Sequence, residues 1–297
     1  MTSFWSFWVA IITLGVIFGC VWLLYAVRNS QTSDVETENK MDHSFDGIEE
    51  YDNPLPKWWF HMFMATVVFS LIYLILYPGL GNFKGVLGWS STGHWEQEVK
   101  EANEKYGPLF KELAAKPVEE LAKDEAAMKI GQRLFANNCS VCHGSTGRGA
   151  LGFPNLTDSD WIYGGDPATI KETITHGRAA QMPAKGLNAA MSKSDISNLT
   201  HYLLSFSGRS DDTTAVEKGG KMFQTACAAC HGDDAKGNQS VGAPNLTDNV
   251  WLYGSTASKI TQTITFGRAG VMPAQKDKLD EDKIHLLAAY VYSLSHK

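Results

Sequence analysis

Cys139, Cys142 and His143 stand in the stretch NNCSVCHGSTGRGA, and Cys227, Cys230 and His231 stand in TACAACHGDDAKGN. Each is a C-x-x-C-H unit, two thiols with an imidazole directly behind the second. Three chemistries use paired cysteines. A Cys-only zinc site brings two pairs together, but such pairs normally lie ~15 to 20 residues apart, far closer than Cys142 and Cys227. A thioredoxin-like redox pair needs a βαβ surround and has no use for the histidine. The third chemistry is covalent attachment of a c-type haem. The thiols become thioethers to the haem vinyl groups, and the short spacing sets both sulfurs on one edge of the macrocycle. The next imidazole then points at the iron. Two such motifs with the same downstream pattern favour two haem c groups. Cys139, Cys142, Cys227 and Cys230 are the expected covalent anchors, with His143 and His231 on the iron.

The downstream pattern is a repeat. Pro154–Ala184 aligned with Pro244–Ala274 gives 18 identities in 31 positions. Each half, 125–209 and 210–297, resembles a class I cytochrome c domain. An opening helix carries Gly131 and Phe135 or Gly219 and Phe223. C-x-x-C-H, a loop to Pro-Asn-Leu, a middle helix, Met-Pro and a closing apolar helix follow. The resemblance implies that the first and last helices cross at Gly and aromatic positions. Gly131, Phe135 and Tyr202 fit one crossing, and Gly219, Phe223 and Tyr290 fit the other.

The same resemblance puts the sixth iron ligand at Met182 and Met272, each in Met-Pro-Ala. A thioether is soft, suits ferrous iron and raises the reduction potential relative to harder donors. With both axial positions closed, iron exchanges electrons and does not readily bind oxygen or peroxide. Packing is the bland reading of any one methionine, but matched placement in both halves favours ligation. Each methionine could serve its own half or, if the halves pack face to face, the other, and the sequence leaves both open.

His176, His201 and His285 align with Phe266, Ala289 and Ser197, so the repeat requires none of them. Pro154 and Pro244 resemble the family proline whose carbonyl fixes the proximal imidazole. Trp161, Trp251, Arg178 and Arg268 are candidates for reaching haem propionates, though packing explains the tryptophans equally well.

The elements that must carry these sites begin in a membrane. Phe4 to Val27 holds no charged side chain over 24 residues, about 36 Å of helix and enough to span a bilayer. It lacks the basic n-region and cleavage site of a signal peptide. A second apolar run covers residues 58–80, with Trp58 and Trp59 at one end and Tyr77 at the other, as an aromatic belt would place them. His61 reads as an interfacial histidine. Gly15 and Gly19 make a G-x-x-x-G step, which allows close helix approach, and Cys20 reads as packing. The expected order is a first transmembrane helix over 1–30, an acidic cytoplasmic loop over 31–57, a second transmembrane helix over 58–80 and a solvated helical linker over 81–124, broken at Pro108 and Pro117. The fold class is all-α.

The net charge of −6 is local. Residues 31–57 carry eight acidic side chains against Lys40 and Lys57, and the two halves behind them are nearly balanced. With no basic stripe, nucleic-acid binding has no support. Haem c attachment places the halves in the periplasm of a bacterial inner membrane, and the few Lys and Arg of the 28–57 loop agree with a cytoplasmic loop.

FDGIEEYDNPLPKWW, residues 45–59, resembles the signature before the membrane span of the dihaem subunit III of cbb3-type cytochrome c oxidases. The resemblance extends over the chain after about residue 40. Many members have one membrane helix, and the extra first helix departs from that pattern. The implied function is electron relay without bond chemistry and with no catalytic residue. A soluble cytochrome c donor reduces the chain, which passes electrons through a monohaem subunit to the haem–copper catalytic subunit, where oxygen is reduced and protons are pumped. The alternatives are the anchored cytochrome of a periplasmic dehydrogenase and a free membrane-bound carrier.

Overall fold

A computed structural model describes residues 1–31 and 38–296. The part of the acidic loop at 32–37 lies outside the described residues. The chain is mostly helical, with four short strands among the described residues, in two compact units, Met1–Lys105 and Tyr106–Lys297.

The first unit holds α1 (Ser3–Gln31), the hairpin strands β1 (Lys40–Phe45) and β2 (Ile48–Tyr51), and α2 (Lys57–Leu76). Ser3–Ala26 and Lys57–Leu76 are long and apolar enough to cross a membrane. α1 and α2 run antiparallel, because the start of one meets the end of the other. The Asn82 N–H donates to Ser6 Oγ at 2.7 Å, and the Asn82 side-chain amide donates to the Met1 carbonyl at 3.2 Å. At the opposite end Tyr25 meets Phe60 edge-on at 5.9 Å. α2 stops short of the expected residue 80, with an extended Tyr77 before Pro78. A Cβ at Gly15 or Gly19 would meet nothing within 4 Å, so the G-x-x-x-G step is not where α1 touches α2.

The β1–β2 hairpin was not expected in the acidic loop. Its turn is Asp46-Gly47, both residues with positive φ, and Asp-Gly is a strong two-residue hairpin signal. An ion pair from Lys40 to Glu49 joins the strands.

α3 (Ser91–Ala114) runs through Pro108, contrary to the expected break. The missing proline N–H costs one backbone bond, and the helix continues to Leu113, which is buried. Pro117 does end the run, standing before the single turn α4 (Val118–Leu121). Leu113, Val118 and Leu121 are not in a solvated spacer. They form a core with Ala127, Leu286 and Ala289.

The rest of the second unit is α5 (Glu125–Asn138), α6 (Ser140–His143), α7 (Pro167–His176), β3 (Arg178–Met182) and α8 (Lys193–Ser205). Their repeats follow: α9 (Thr213–Ala226), α10 (Ala228–His231), α11 (Ala257–Phe266), β4 (Arg268–Met272) and α12 (Glu281–Ser295). Side chains cap the longer of these helices. Asp124 accepts from the N–H groups of Ala126 and Ala127, and Ser192 and Asp195 form a capping box.

The closing helices are exchanged between the halves. α12 packs on α5, α7 and α4, whereas α8 packs on α9 and α11. Gly131 in α5 meets Tyr290, and Gly219 in α9 meets Tyr202. The ring pairs agree: Phe135 with Tyr290 at 5.4 Å, and Phe223 with Tyr202 at 5.4 Å. The expected crossings of Gly131 and Phe135 with Tyr202, and of Gly219 and Phe223 with Tyr290, are therefore corrected. The cause is the pairing of β3 with β4. These antiparallel strands run from Arg178 opposite Met272 to Met182 opposite Arg268. Each strand hands the following chain over to the other half's middle helix.

Two apolar cores result. The first joins Phe135, Ile170, Ile174, Ile284, Leu287, Ala288 and Val291. The second includes Ile196, Leu199, Leu203, Phe223, Ala226, Ile260 and Ile264. A Lys171–Glu281 ion pair at 3.0 Å ties α7 to α12, and a Thr200–Thr261 hydroxyl contact at 3.1 Å ties α8 to α11.

Candidate metal and cofactor centres

Cys139 ends α5, its N–H donating to the Phe135 carbonyl at 2.8 Å. The next turn is α6, and the His143 N–H donates to the Cys139 carbonyl at 3.0 Å. One helical turn thus sets Cys139 and His143 on the same face. Cys227 and His231 repeat this geometry at 2.8 and 3.0 Å. Cys139 packs against the first core and Cys227 against the second, while Cys142 and Cys230 are exposed. The two cysteine pairs therefore do not come together as a Cys-only zinc site needs. Among the described residues, no group of three or more His, Cys, Asp or Glu gathers to hold a metal.

His143 and His231 are among the few buried polar side chains, at 9% and 8% exposure. His143 Nδ1 lies 3.1 Å from the Pro154 carbonyl, and His231 Nδ1 lies 3.0 Å from the Pro244 carbonyl. A carbonyl only accepts, so Nδ1 donates, and Nε2 is left with its lone pair. Burial lowers both imidazole pKa values and so favours the neutral ring, and the hydrogen bond to the proline carbonyl offsets part of this. Burial, and then the neighbouring cysteine, pushes the Cys139 and Cys227 thiols up to about 11, so both are neutral. Neutral thiols, an imidazole with a free Nε2 and an apolar wall fit a covalently held macrocycle.

The methionine segments are exchanged like the helices. Met272 packs against the core that holds Cys139, Leu156 and Trp161. Just beyond it, the Gln275 N–H donates to the Ile174 carbonyl at 3.0 Å. In the reciprocal place, the Lys185 N–H donates to the Ile264 carbonyl at 2.6 Å and the Leu187 N–H to the Ala226 carbonyl at 3.0 Å. A Cβ at Gly186 would stand 3.7 Å from Cys227 Sγ. Met272 thus packs on the Cys139 side, and the segment that follows Met182 runs on the Cys227 side.

The remaining candidates find other partners. His176 faces Glu172 and Lys276 at the surface. His201 Nδ1 lies 2.8 Å from Ser210 Oγ, and His285 Nε2 lies 2.9 Å from the Lys116 carbonyl. Trp161 and Trp251 pack against the first and second cores respectively. Arg178 and Arg268 lie over Tyr163 and Tyr253, with ring centres 4.7 and 4.4 Å away. Sequence reasoning missed those tyrosines, although both recur at matched positions.

Comparison with known proteins identifies the family. The family model for the N-terminal domain of cytochrome oxidase-cbb3, FixP, matches residues 37–84. The model for cytochrome c oxidase, cbb3-type, subunit III, matches residues 126–203 and again 214–291. The chain is 46% identical over 295 residues to the cbb3-type cytochrome c oxidase subunit CcoP of Rubrivivax gelatinosus, covering 99% of this chain and 95% of that relative. It is 41% identical over 267 residues to the FixP subunit of Azorhizobium caulinodans, covering 85% and 91%. With CcoP of Cereibacter sphaeroides it shares 38% over 269 residues, covering 85% and 93%. Two N-terminal membrane helices, a repeated C-x-x-C-H centre and these relatives place the chain in the cbb3-type cytochrome c oxidase subunit III family.

Proposed function

We propose that the chain is the dihaem relay of a cbb3-type oxidase, with its two centres closed crosswise. Cys139 and Cys142 anchor the first haem c, whose iron takes His143 and Met272. Cys227 and Cys230 anchor the second, whose iron takes His231 and Met182. Haem iron supplies one-electron exchange. The protein holds each imidazole through a proline carbonyl, which fixes the ring and leaves Nε2 for the metal. Apolar cores flank the centres on the Cys139 and Cys227 sides. A thioether as the second ligand closes the iron and raises its potential.

The observation that carries this reading is the placement of one histidine and one exchanged methionine segment in each compartment. Two closed irons suit a carrier and not a peroxidase or gas sensor, which need an exchangeable position. The chain accepts electrons from a soluble cytochrome c donor on the periplasmic side. It passes them through a monohaem subunit to the haem–copper subunit, where oxygen reduction is coupled to proton pumping. The repeat halves, 125–209 and 210–297, lie on the periplasmic side of a bacterial inner membrane in this reading, a side that covalent haem c attachment supports.

Solubilisation in mild detergent followed by affinity capture of this chain tests the assignment. The expected product contains b-type haem and copper and consumes oxygen with reduced cytochrome c. A product with two c-type haems and no oxygen uptake would instead be a stand-alone or dehydrogenase-linked cytochrome.

A further inference from the structure

Each methionine's partner across the β3–β4 ribbon is an arginine from the other half. The register sets Met272 opposite Arg178 and Met182 opposite Arg268. Gly177 and Gly267 precede the arginines with φ of +71° and +72°, and a Cβ there would collide with the carbonyl oxygens of Met272 and Met182 respectively. The backbone ahead of each arginine therefore abuts the backbone of the opposite methionine.

The arginines are tied down within one compartment. Arg178 Nε donates to Thr173 Oγ1, on the last turn of α7, at 2.9 Å. Its guanidinium lies over Tyr163, which follows the first C-x-x-C-H loop. Arg268 Nε and Nη2 donate to Thr263 Oγ1 at 2.9 and 2.7 Å, and its guanidinium lies over Tyr253. One end of the ribbon is thus pinned to α7 and the other to α11. A planar guanidinium makes this double contact with a hydroxyl and a ring face, which an ammonium does not reproduce.

We infer that Arg178, with Thr173 and Tyr163, is a positioning residue for Met272, and that Arg268, with Thr263 and Tyr253, is a positioning residue for Met182. Each arginine holds its end of the ribbon so that the opposite half's methionine faces the histidine of the arginine's own compartment. The inference rests on the crossed ligation proposed above. A thioether reaches iron by one side-chain length, so a released strand weakens the bond, and losing methionine ligation lowers the potential.

The test is a redox titration of the purified full-length oxidase, following both c-type transitions and the sulfur-to-iron absorption band. M272A and M182A each mark one transition. T173V and R178A are expected to lower the transition that M272A lowers, weaken the band and leave the other centre unchanged. T263V and R268A are expected to act on the transition that M182A marks. T173S, which keeps the hydroxyl, is expected to match the wild type. The positioning role is overturned if T173V and R178A leave both transitions and the band unchanged, or move the one M182A marks. If M272A and M182A themselves move neither transition, methionine ligation falls and the positioning role falls with it. Failure of the threonine and arginine variants alone leaves ligation standing.

Discussion

A Cβ added to Gly131 would lie 2.7 Å from Cβ of Tyr290, from the far end of the chain. At the matching crossing, a Cβ on Gly219 would meet Cβ of Tyr202 at 2.7 Å and would also collide with the Asn198 carbonyl. A tyrosine Cβ moves only with its own helix, and Gly219 adds a clash with a helix carbonyl. Alanine is a better helix former than glycine by ~1 kcal/mol, and overpacking costs ~1 to 3 kcal/mol. Both variants should therefore be destabilising, Gly219→Ala more so than Gly131→Ala because it also meets backbone. Denaturant unfolding followed by circular dichroism would rank them, and equal stability for both variants would contradict the packing described.

The exchange of closing helices makes distant effects specific. Leu287 of α12 is fully buried in the first core and Leu199 of α8 is 1% exposed in the second. Either leucine cut to alanine should cost about 2 to 5 kcal/mol. Leu287→Ala should loosen α5 and α7 while sparing α9 and α11. Leu199→Ala should do the reverse. Amide hydrogen exchange read by mass spectrometry locates the loss, and loosening confined to the mutated residue's own half of the sequence would refute the exchange.

Asp158 and Asp248 occupy matched places in the two halves. Burial raises both carboxyl pKa values, and repulsion from Asp160 adds to it. A carboxyl raised above its unfolded value favours the fold while protonated. That contribution is full below the ordinary value of 3.8 and is lost as pH rises through the raised folded value. Asp158→Asn and Asp248→Asn should therefore melt higher than the wild type at neutral pH, with the gap shrinking in acid. Each can keep its turn, since Oδ1 of Asp158 accepts from the Asp160 N–H and Oδ1 of Asp248 from the Val250 N–H. A gap that widens in acid would reverse the sign argued here.

The helical architecture, both membrane helices and the C-x-x-C-H units were legible because their signals are local: length without charge, and fixed short spacing. Helix partners were not. Gly131 with Tyr290 reads as well as Gly131 with Tyr202, because the repeat places an equivalent tyrosine in each closing helix. The likeness of the halves, which makes the repeat easy to see, is what hides the exchange. The strand pairing that decides it lies in RAAQM and RAGVM, too short and too plain to announce a ribbon. The β1–β2 hairpin had a readable Asp-Gly turn, masked by the acidic residues around it.

Two of the assignments meet at a single pair of atoms, and electron cryomicroscopy of the intact oxidase with its haems would show them. The crossed arrangement requires the iron of the haem attached through Cys139 and Cys142 to carry His143 on one side and the sulfur of Met272 on the other. Finding the sulfur of Met182 on that iron would contradict the crossed closure of the two centres.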